Sequence, residues 1–390
     1  MTIINSVFFL LCSFFLCQPA YADSSSLNWL KFQPETLKNW HINIDSQDSG
    51  IMYITPAAGT SNKQLQKQVL MLLAKQSGSY QLAIETFLQV MLRNNIAVKI
   101  TLNHFNKNIK RGIEALERAE QENFDLVFSI GSESAALVHQ HFQDHSVPVV
   151  TSTNKDPVLL GQAENYHTGS GHNIAYTSLN IPIDVQLNYL SILRPGLKVI
   201  GLLYNKNHPQ VMTTEVIPLK KKLKKLGLDV VDIAVSSRSA AGQELQQRMP
   251  RAIAQMQAIA PQADYSLLWI TSSTAIFTQM AIINQFSGTI PVLGSIPNIV
   301  TEGDNSAVLA IGIDRRNNAH LASIYAVKIL KGQVAAGELK VGIVTPPDIA
   351  INFLVAKKIA LKIPFQFFES ASFIYNYQGK PVRMFGQKVQ

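Results

Sequence analysis

Apolar runs of strand length alternate with segments of helical spacing along most of this chain. Val69 to Ala74 is a continuous apolar run, and Leu82 to Leu92 repeats its apolar residues at the helical period. Ile96 to Leu102 is rich in β-branched residues. Ile109 to Glu122 is charged, with Ile113, Leu116 and Ala119 on one helical face. A strand over Leu126 to Ile130, a helix over Ser134 to Phe142 and a strand over Val147 to Thr151 follow. Strands separated by helices predict a parallel sheet with right-handed crossovers.

Residues 152 to 180 break this rhythm with turn-rich stretches, Thr153-Asn-Lys-Asp-Pro-Val158 and Thr168-Gly-Ser-Gly-His172. The alternation then resumes. Helices are predicted over Asp184 to Leu193, Val211 to Leu226, Glu244 to Ile259 and Ala275 to Phe286. Strands are predicted over Val199 to Tyr204, Val230 to Val235, Leu267 to Ile270 and Pro291 to Gly294. Pro218 and Pro250 are expected to kink or restart their helices. A further strand covers Ala307 to Ile313. The helix from Ala319 to Leu330 stops at Lys331-Gly332, and Ile349 to Leu361 reads as strand then helix, ending before Pro364.

The expected fold class is therefore α/β, with two doubly wound parallel-sheet lobes joined by a hinge of several crossing strands. Residues 67–152 form lobe 1, with a return of about 315–345. Residues 181–313 form lobe 2, with about 346–364. Residues 23–66 read as a polar extension that holds one strand, and 365–390 as a mixed tail with a strand at Phe373 to Tyr377.

Two segments are built alike. Asp125-Leu-Val-Phe-Ser-Ile-Gly-Ser-Glu-Ser-Ala-Ala and Tyr265-Ser-Leu-Leu-Trp-Ile-Thr-Ser-Ser-Thr-Ala each run a buried strand into small hydroxyl residues at a helix N-terminus. Such a terminus exposes free backbone N–H groups and the positive end of the helix dipole, which favours a carboxylate. Ligands of open α/β sheets bind beyond the carboxyl ends of the strands. The candidate ligand-binding residues are thus Ser132, Glu133 and Ser134 at the first mouth, and Thr271, Ser272 and Ser273 at the second. Asn154 and Asp156 in the turn after the fourth strand, Asp314 at a strand end, and Tyr80 and Tyr204 as pocket walls complete the set. Asp156 and Asp314 are the candidates for an ammonium group. Each residue also has a plainer role open to it, as helix cap, turn residue or core cap.

Composition narrows the destination. Of 390 residues, 47% are hydrophobic and 15% charged, enough apolar material for two cores. Val7 to Leu16 is a short apolar run, and Ala20-Tyr21-Ala22 supplies a small-x-small pattern before Asp23, so residues 1–22 read as a secretory signal peptide. The apolar run is short for a membrane span. Both cysteines, Cys12 and Cys17, fall inside this leader, which leaves the mature chain without a disulfide, a cysteine nucleophile or a Cys-ligated zinc. A lipid anchor on Cys17 is opposed by the bulky Leu16 before it. The expected product is periplasmic and not inserted in the membrane. The net charge of +8 has one dense cluster, Lys220 to Leu226, whose leucines at helical spacing mark it as a solvated helix face rather than a nucleic-acid motif.

Other chemistries find little support. His141 and His145 are four apart but lack the adjacent Glu of a metalloprotease helix, and Thr168-Gly-Ser-Gly-His-Asn173 follows no strand. There is no Gly-x-Ser-x-Gly elbow and no P-loop lysine, so no metal, cofactor or catalytic residue is expected.

Several stretches carry a resemblance in order along the chain: Asp125 to Ala136, Pro148 to Val158, Leu193-Arg-Pro-Gly-Leu-Lys-Val-Ile-Gly-Leu-Leu-Tyr-Asn205, Ala310-Ile-Gly-Ile-Asp314, Ile329-Leu-Lys-Gly332 and Ala360-Leu-Lys-Ile-Pro364. Over residues 68 to 364 the sequence resembles the substrate-binding proteins of ABC importers, with tryptophan-binding-protein-like members and a type I periplasmic binding fold. The resemblance implies a hinged protein that binds a small polar ligand between its lobes, an amino acid, aromatic or otherwise, being the expected class. It also implies an ABC permease as partner. Departures lie in residues 23–66, Thr168 to Asn180 and the tail. A ligand sensor or envelope scaffold of the same fold, partnering a membrane signalling protein, is the alternative function. A doubly wound exported enzyme is a lesser one.

Overall fold

The computed structural model describes residues 26–57 and 66–389, so the expected signal peptide at 1–22 lies outside the described residues. Among those described, no helix is long and apolar enough to cross a membrane.

The first sheet has the strand order Trp40–Ile44, Ile51–Pro56, Val98–His104, Lys67–Leu73, Leu126–Ile130, Val149–Ser152, Ile174–Ala175. From Val98–His104 onward its neighbours are parallel. The first two strands form an antiparallel hairpin that continues the sheet, where the sequence suggested a single strand in a separate extension. The reason is a period-2 pattern hidden in a polar segment. Trp40, Met52 and Ile54 are buried on one face while their neighbours stay wetter. Helix Gly78–Arg93 packs on this sheet. So does Arg315–Leu330, whose Ala319, Ala322 and Ala326 join the lobe 1 core and let it approach closely.

The second sheet runs Asp229–Val235, Val199–Asn205, Ser266–Ile270, Val292–Gly294, Leu309–Gly312, Asp348–Asn352, Ala371–Tyr375, Pro381–Met384, Gln387–Lys388. The first five are parallel, and Asp348–Asn352 returns antiparallel beside Leu309–Gly312. The terminal segment is therefore more ordered than a tail. It supplies a short helix, Phe365–Ser370, and the last three strands of this sheet, with Phe367, Phe373 and Ile374 buried. Both sheets are mixed at one edge and parallel through the middle.

Two helices depart from the pattern read in the sequence, and a third follows it. Pro250 sits inside one continuous helix, Ala241–Ile259. It lies on the exposed face, where the carbonyl left by its missing N–H can turn to water. Pro218 does mark a restart. It follows a π-helical turn, Met212–Val216, at the second residue of helix Ile217–Lys225. The segment expected as one helix from Ala275 divides into Thr274–Phe277 and Met280–Ser287. At the break the Thr278 hydroxyl bonds back to the Thr274 carbonyl, 3.2 Å away.

The chain passes between the sheets three times, over residues 176–182, 313–315 and 341–348. Two of the crossings pair as a small parallel sheet, Thr177–Ser178 with Gly342–Ile343. Buried Asn318, on the returning helix, ties the first of them to the segment that leaves strand Val149–Ser152. Its Oδ1 accepts from Thr153 N at 2.8 Å, and its Nδ2 donates to the Ser178 carbonyl at 3.0 Å.

Candidate functional site

A cavity of about 480 Å³ opens between the lobes, beside the crossings. From the first lobe it is lined by the loop and helix start at Lys75 to Tyr80, by Ser132 and Glu133, and by Thr153 and Lys155. From the second come His208, Gln210, Arg238, Ser272 and Thr274, with Phe277 and Ile296 as apolar wall; Leu179, Ile313 and Arg315 line it at the crossings.

On the first wall the strand Leu126–Ile130 ends at Gly131, whose φ is +93°. A Cβ there would collide with the Tyr80 hydroxyl, so only glycine lets this turn pass the tyrosine. Tyr80 is buried, with its hydroxyl beside Glu133. Burial first, and then the Glu133 charge, push its pKa well above the ordinary phenol value. Glu133 Oε1 pairs with Lys75 Nζ at 2.6 Å. Burial would raise the Glu133 pKa, but the Lys75 bond and charge outweigh it and hold the group below the usual carboxylate range. Ser132 Oγ accepts from Lys155 N at 3.1 Å.

Behind the second wall lies Glu215, a residue that sequence reasoning missed. It lies in the π-helical turn and is 4% exposed. Its carboxylate accepts from Lys155 Nζ at 2.7 Å, Ser272 N at 2.8 Å, Asn180 Nδ2 at 3.1 Å and Ser295 Oγ at 3.2 Å, and also from the Ser272 hydroxyl. Burial opposes its charge. The Lys155 charge and bond, followed by Ser272, outweigh that and lower its pKa. One signal could have exposed it. Val211, Glu215, Leu219 and Leu223 recur every four residues, which places a carboxylate on the core-facing stripe of a helix. His208 lines the same wall and accepts from Val211 N through Nδ1 at 3.4 Å. Burial, then the Lys155 and Lys75 charges, lower its pKa, so the imidazole is neutral at pH 7.

The remaining residues singled out in the sequence are distributed unevenly. Tyr80, Ser132, Glu133 and Ser272 line the cavity. Ser134 does not reach it. Ser134 is fully buried, accepting from Ser129 Oγ at 2.8 Å and donating to the Leu72 carbonyl at 3.0 Å, because a helix turns its third residue back onto the sheet. Thr271 is buried with its hydroxyl on the Leu203 carbonyl, and Ser273 is the residue before helix Thr274–Phe277. Asn154 is buried, donates to Gln162 Oε1 at 3.2 Å, and leaves its Oδ1 without a partner.

The two expected ammonium partners are engaged elsewhere. Asp156 Oδ1 accepts from Val158 N and Leu159 N, and its Oδ2 accepts from the Tyr166 hydroxyl at 2.6 Å. It lines a separate cavity with Lys221 and Lys222, and burial raises its pKa. Asp314 caps the returning helix through Arg316 N at 2.8 Å, and burial raises its pKa too. Tyr204 ends its strand against Asp232 rather than in the cavity, and its pKa is pushed up to about 12 by burial and then by Asp232. No metal-ligating cluster of three or more His, Cys, Asp or Glu occurs among the described residues.

Comparison with known proteins agrees with this architecture. Among curated proteins none matches. A ligand-free, open substrate-binding protein with adhesive properties from Clostridium difficile is 20% identical with a TM-score of 0.60, covering 79% of this chain and 98% of its own. A Streptococcus pneumoniae ABC domain in complex with L-Trp is 17% identical with a TM-score of 0.60, covering 80% and 100%. A conserved domain protein from Vibrio cholerae is 16% identical with a TM-score of 0.59, again covering 80% and 100%. At these identities the likeness shows the fold, an α/β pair of lobes. The model of the family described as ABC transporter substrate binding protein matches residues 88–372, most of the chain. This is a family of binding proteins rather than enzymes, and the chain belongs to it.

Proposed function

We propose that this chain is the periplasmic solute receptor of an ABC importer, exported by a cleaved signal peptide, which takes a small polar ligand between its lobes and presents the closed form to a membrane permease. The observation that carries this reading is the inter-lobe cavity of about 480 Å³, lined from both lobes and bordered by the first two crossings. Its volume suits a small molecule, and its mixture of hydroxyls, charges and a short apolar wall suits a polar one. A ligand that touches both walls favours the closed arrangement over the open one by its differential affinity, which is the basis of hinge closure in such receptors. The family match supports the substrate-binding role. Mass spectrometry of the ligand retained by the purified protein, followed by calorimetry with that ligand, tests the proposal. Small-angle scattering with and without it should show a more compact particle when it is bound. Co-purification with a permease rather than a signalling protein separates import from sensing.

A further inference from the structure

The charges lining the cavity do not balance. Lys75, Lys155, Arg238 and Arg315 contribute four cations, against the one lining carboxylate of Glu133 and that of Glu215, which is buried behind the wall where it holds Lys155. Both carboxylates are held by lysines, at 2.6 and 2.7 Å. Neither guanidinium has a carboxylate partner within ion-pair distance among the described residues. Among the described residues the Arg238 guanidinium has no hydrogen-bond partner, and that of Arg315 donates only to the neutral amide of Asn298, at 3.3 Å. Asp314 stands next to Arg315, but its carboxylate caps the Arg316 N–H and does not line the cavity. The depressed pKa of His208, caused by burial and then by Lys155 and Lys75, reports the same positive field.

We infer that the cleft is built for a ligand of net negative charge, a small carboxylate or phosphate ester without a balancing ammonium group, with Arg238 and Arg315 as its anion contacts and Phe277 and Ile296 beside its apolar part. The inference rests on the solute-receptor reading above. An ammonium group would find the lining carboxylate of Glu133 and the buried one of Glu215 both occupied by lysine, and would meet the excess positive charge at short range, where the cost is largest. An anion needs no such displacement. It gains charge-assisted bonds from guanidinium groups, which suit carboxylate and phosphate geometry. The positive cleft also speeds its capture from solution.

The test uses the exported protein, unfolded and refolded to release retained ligand, and calorimetry with a panel in three arms: succinate, benzoate and citrate; glucose 6-phosphate and inorganic phosphate; and tryptophan, alanine and ribose. Binding within either anionic arm, weakened by salt and reduced roughly ten- to a hundredfold in Arg238→Gln, supports the inference, and the arm that binds distinguishes carboxylate from phosphate. Arg238 is exposed, so this variant keeps the fold. Arg315→Gln is the second variant, accepted once its melting curve matches the parent. Binding of the zwitterionic or neutral arm alone, or retention of such a ligand in the native protein, overturns the inference and leaves the receptor reading standing. Absence of any bound or retained solute overturns both.

Discussion

Lys155 reaches across from the first lobe to Glu215 of the second, Nζ to Oε1 at 2.7 Å, with both side chains largely buried. The Lys155 backbone is fixed to the first lobe by Ser132 Oγ, and its ammonium also bonds the Ser272 hydroxyl. Lys155→Met would leave Glu215 charged, buried and without its cation. We expect a stability loss of about 3–5 kcal/mol in urea titration at pH 7. Lys155→Met combined with Glu215→Gln should recover much of that loss, because the amide needs no cation. Equal destabilisation of the single and double variants would show that the pair contributes little.

The same pair sets a pH dependence. The folded-state pKa of Glu215 lies below its ordinary value of 4.5. The unfolded state therefore binds the proton more readily. The contribution to stability is fully present above the unfolded value and is lost as pH falls through the folded one. Denaturation midpoints should drop below about pH 4.5 in the parent. Glu215→Gln should flatten that part of the curve, and an unchanged acid limb would assign it to other carboxylates.

Much of the central architecture is legible in sequence. The strand Leu126–Ile130 is a short apolar run between Asp125 and Gly131, and its bounds follow from that alone. The hidden parts are those where the cause lies outside the local pattern. The Trp40–Ile44 hairpin alternates too weakly to announce itself in a polar segment. At the site, Ser132 and Ser272 reach the cavity as hydroxyls at helix mouths can. Ser134, equally plausible in sequence, is turned inward by the helical rotation of its Cβ. Glu215 was hidden because a lone carboxylate on a helix is ordinarily solvated, and the lysine that makes its burial tolerable is 60 positions away.

Ser134→Ala separates packing from binding. The change leaves Ser129 Oγ without its acceptor in a fully buried place. We expect a loss of about 1–3 kcal/mol in stability. The affinity for the retained ligand should stay within twofold, roughly the scatter of calorimetry. A large loss of affinity with intact stability would return Ser134 to the binding surface.

Gly131→Ala tests how the first wall is shaped. The added Cβ meets the Tyr80 hydroxyl, and φ of +93° with ψ of 159° lies in a region essentially reserved for glycine. Strain of about 1–3 kcal/mol is expected from the backbone alone, together with displacement of Tyr80 from Glu133. Adding Tyr80→Phe relieves the contact with the hydroxyl but leaves the ring carbons against the new Cβ and the backbone strain in place, so rescue should be partial in thermal melting. Full rescue would assign the whole cost to the hydroxyl, and no rescue would assign it to the ring contact and the backbone.

Asn318→Ala addresses the hinge. Asn318 satisfies Thr153 N, at the end of a first-sheet strand, and the Ser178 carbonyl on the first crossing, from a helix that follows the second crossing. Without its side chain two buried backbone groups lose partners, each costing about 1–3 kcal/mol. Because these groups sit at the crossings, loosening them should widen the range of lobe arrangements as well as lower stability. Scattering of the ligand-free variant should therefore give a larger radius of gyration at a temperature where circular dichroism still reports native helix content. A variant that melts earlier but keeps the parent radius would confine Asn318 to packing, with no part in holding the lobes.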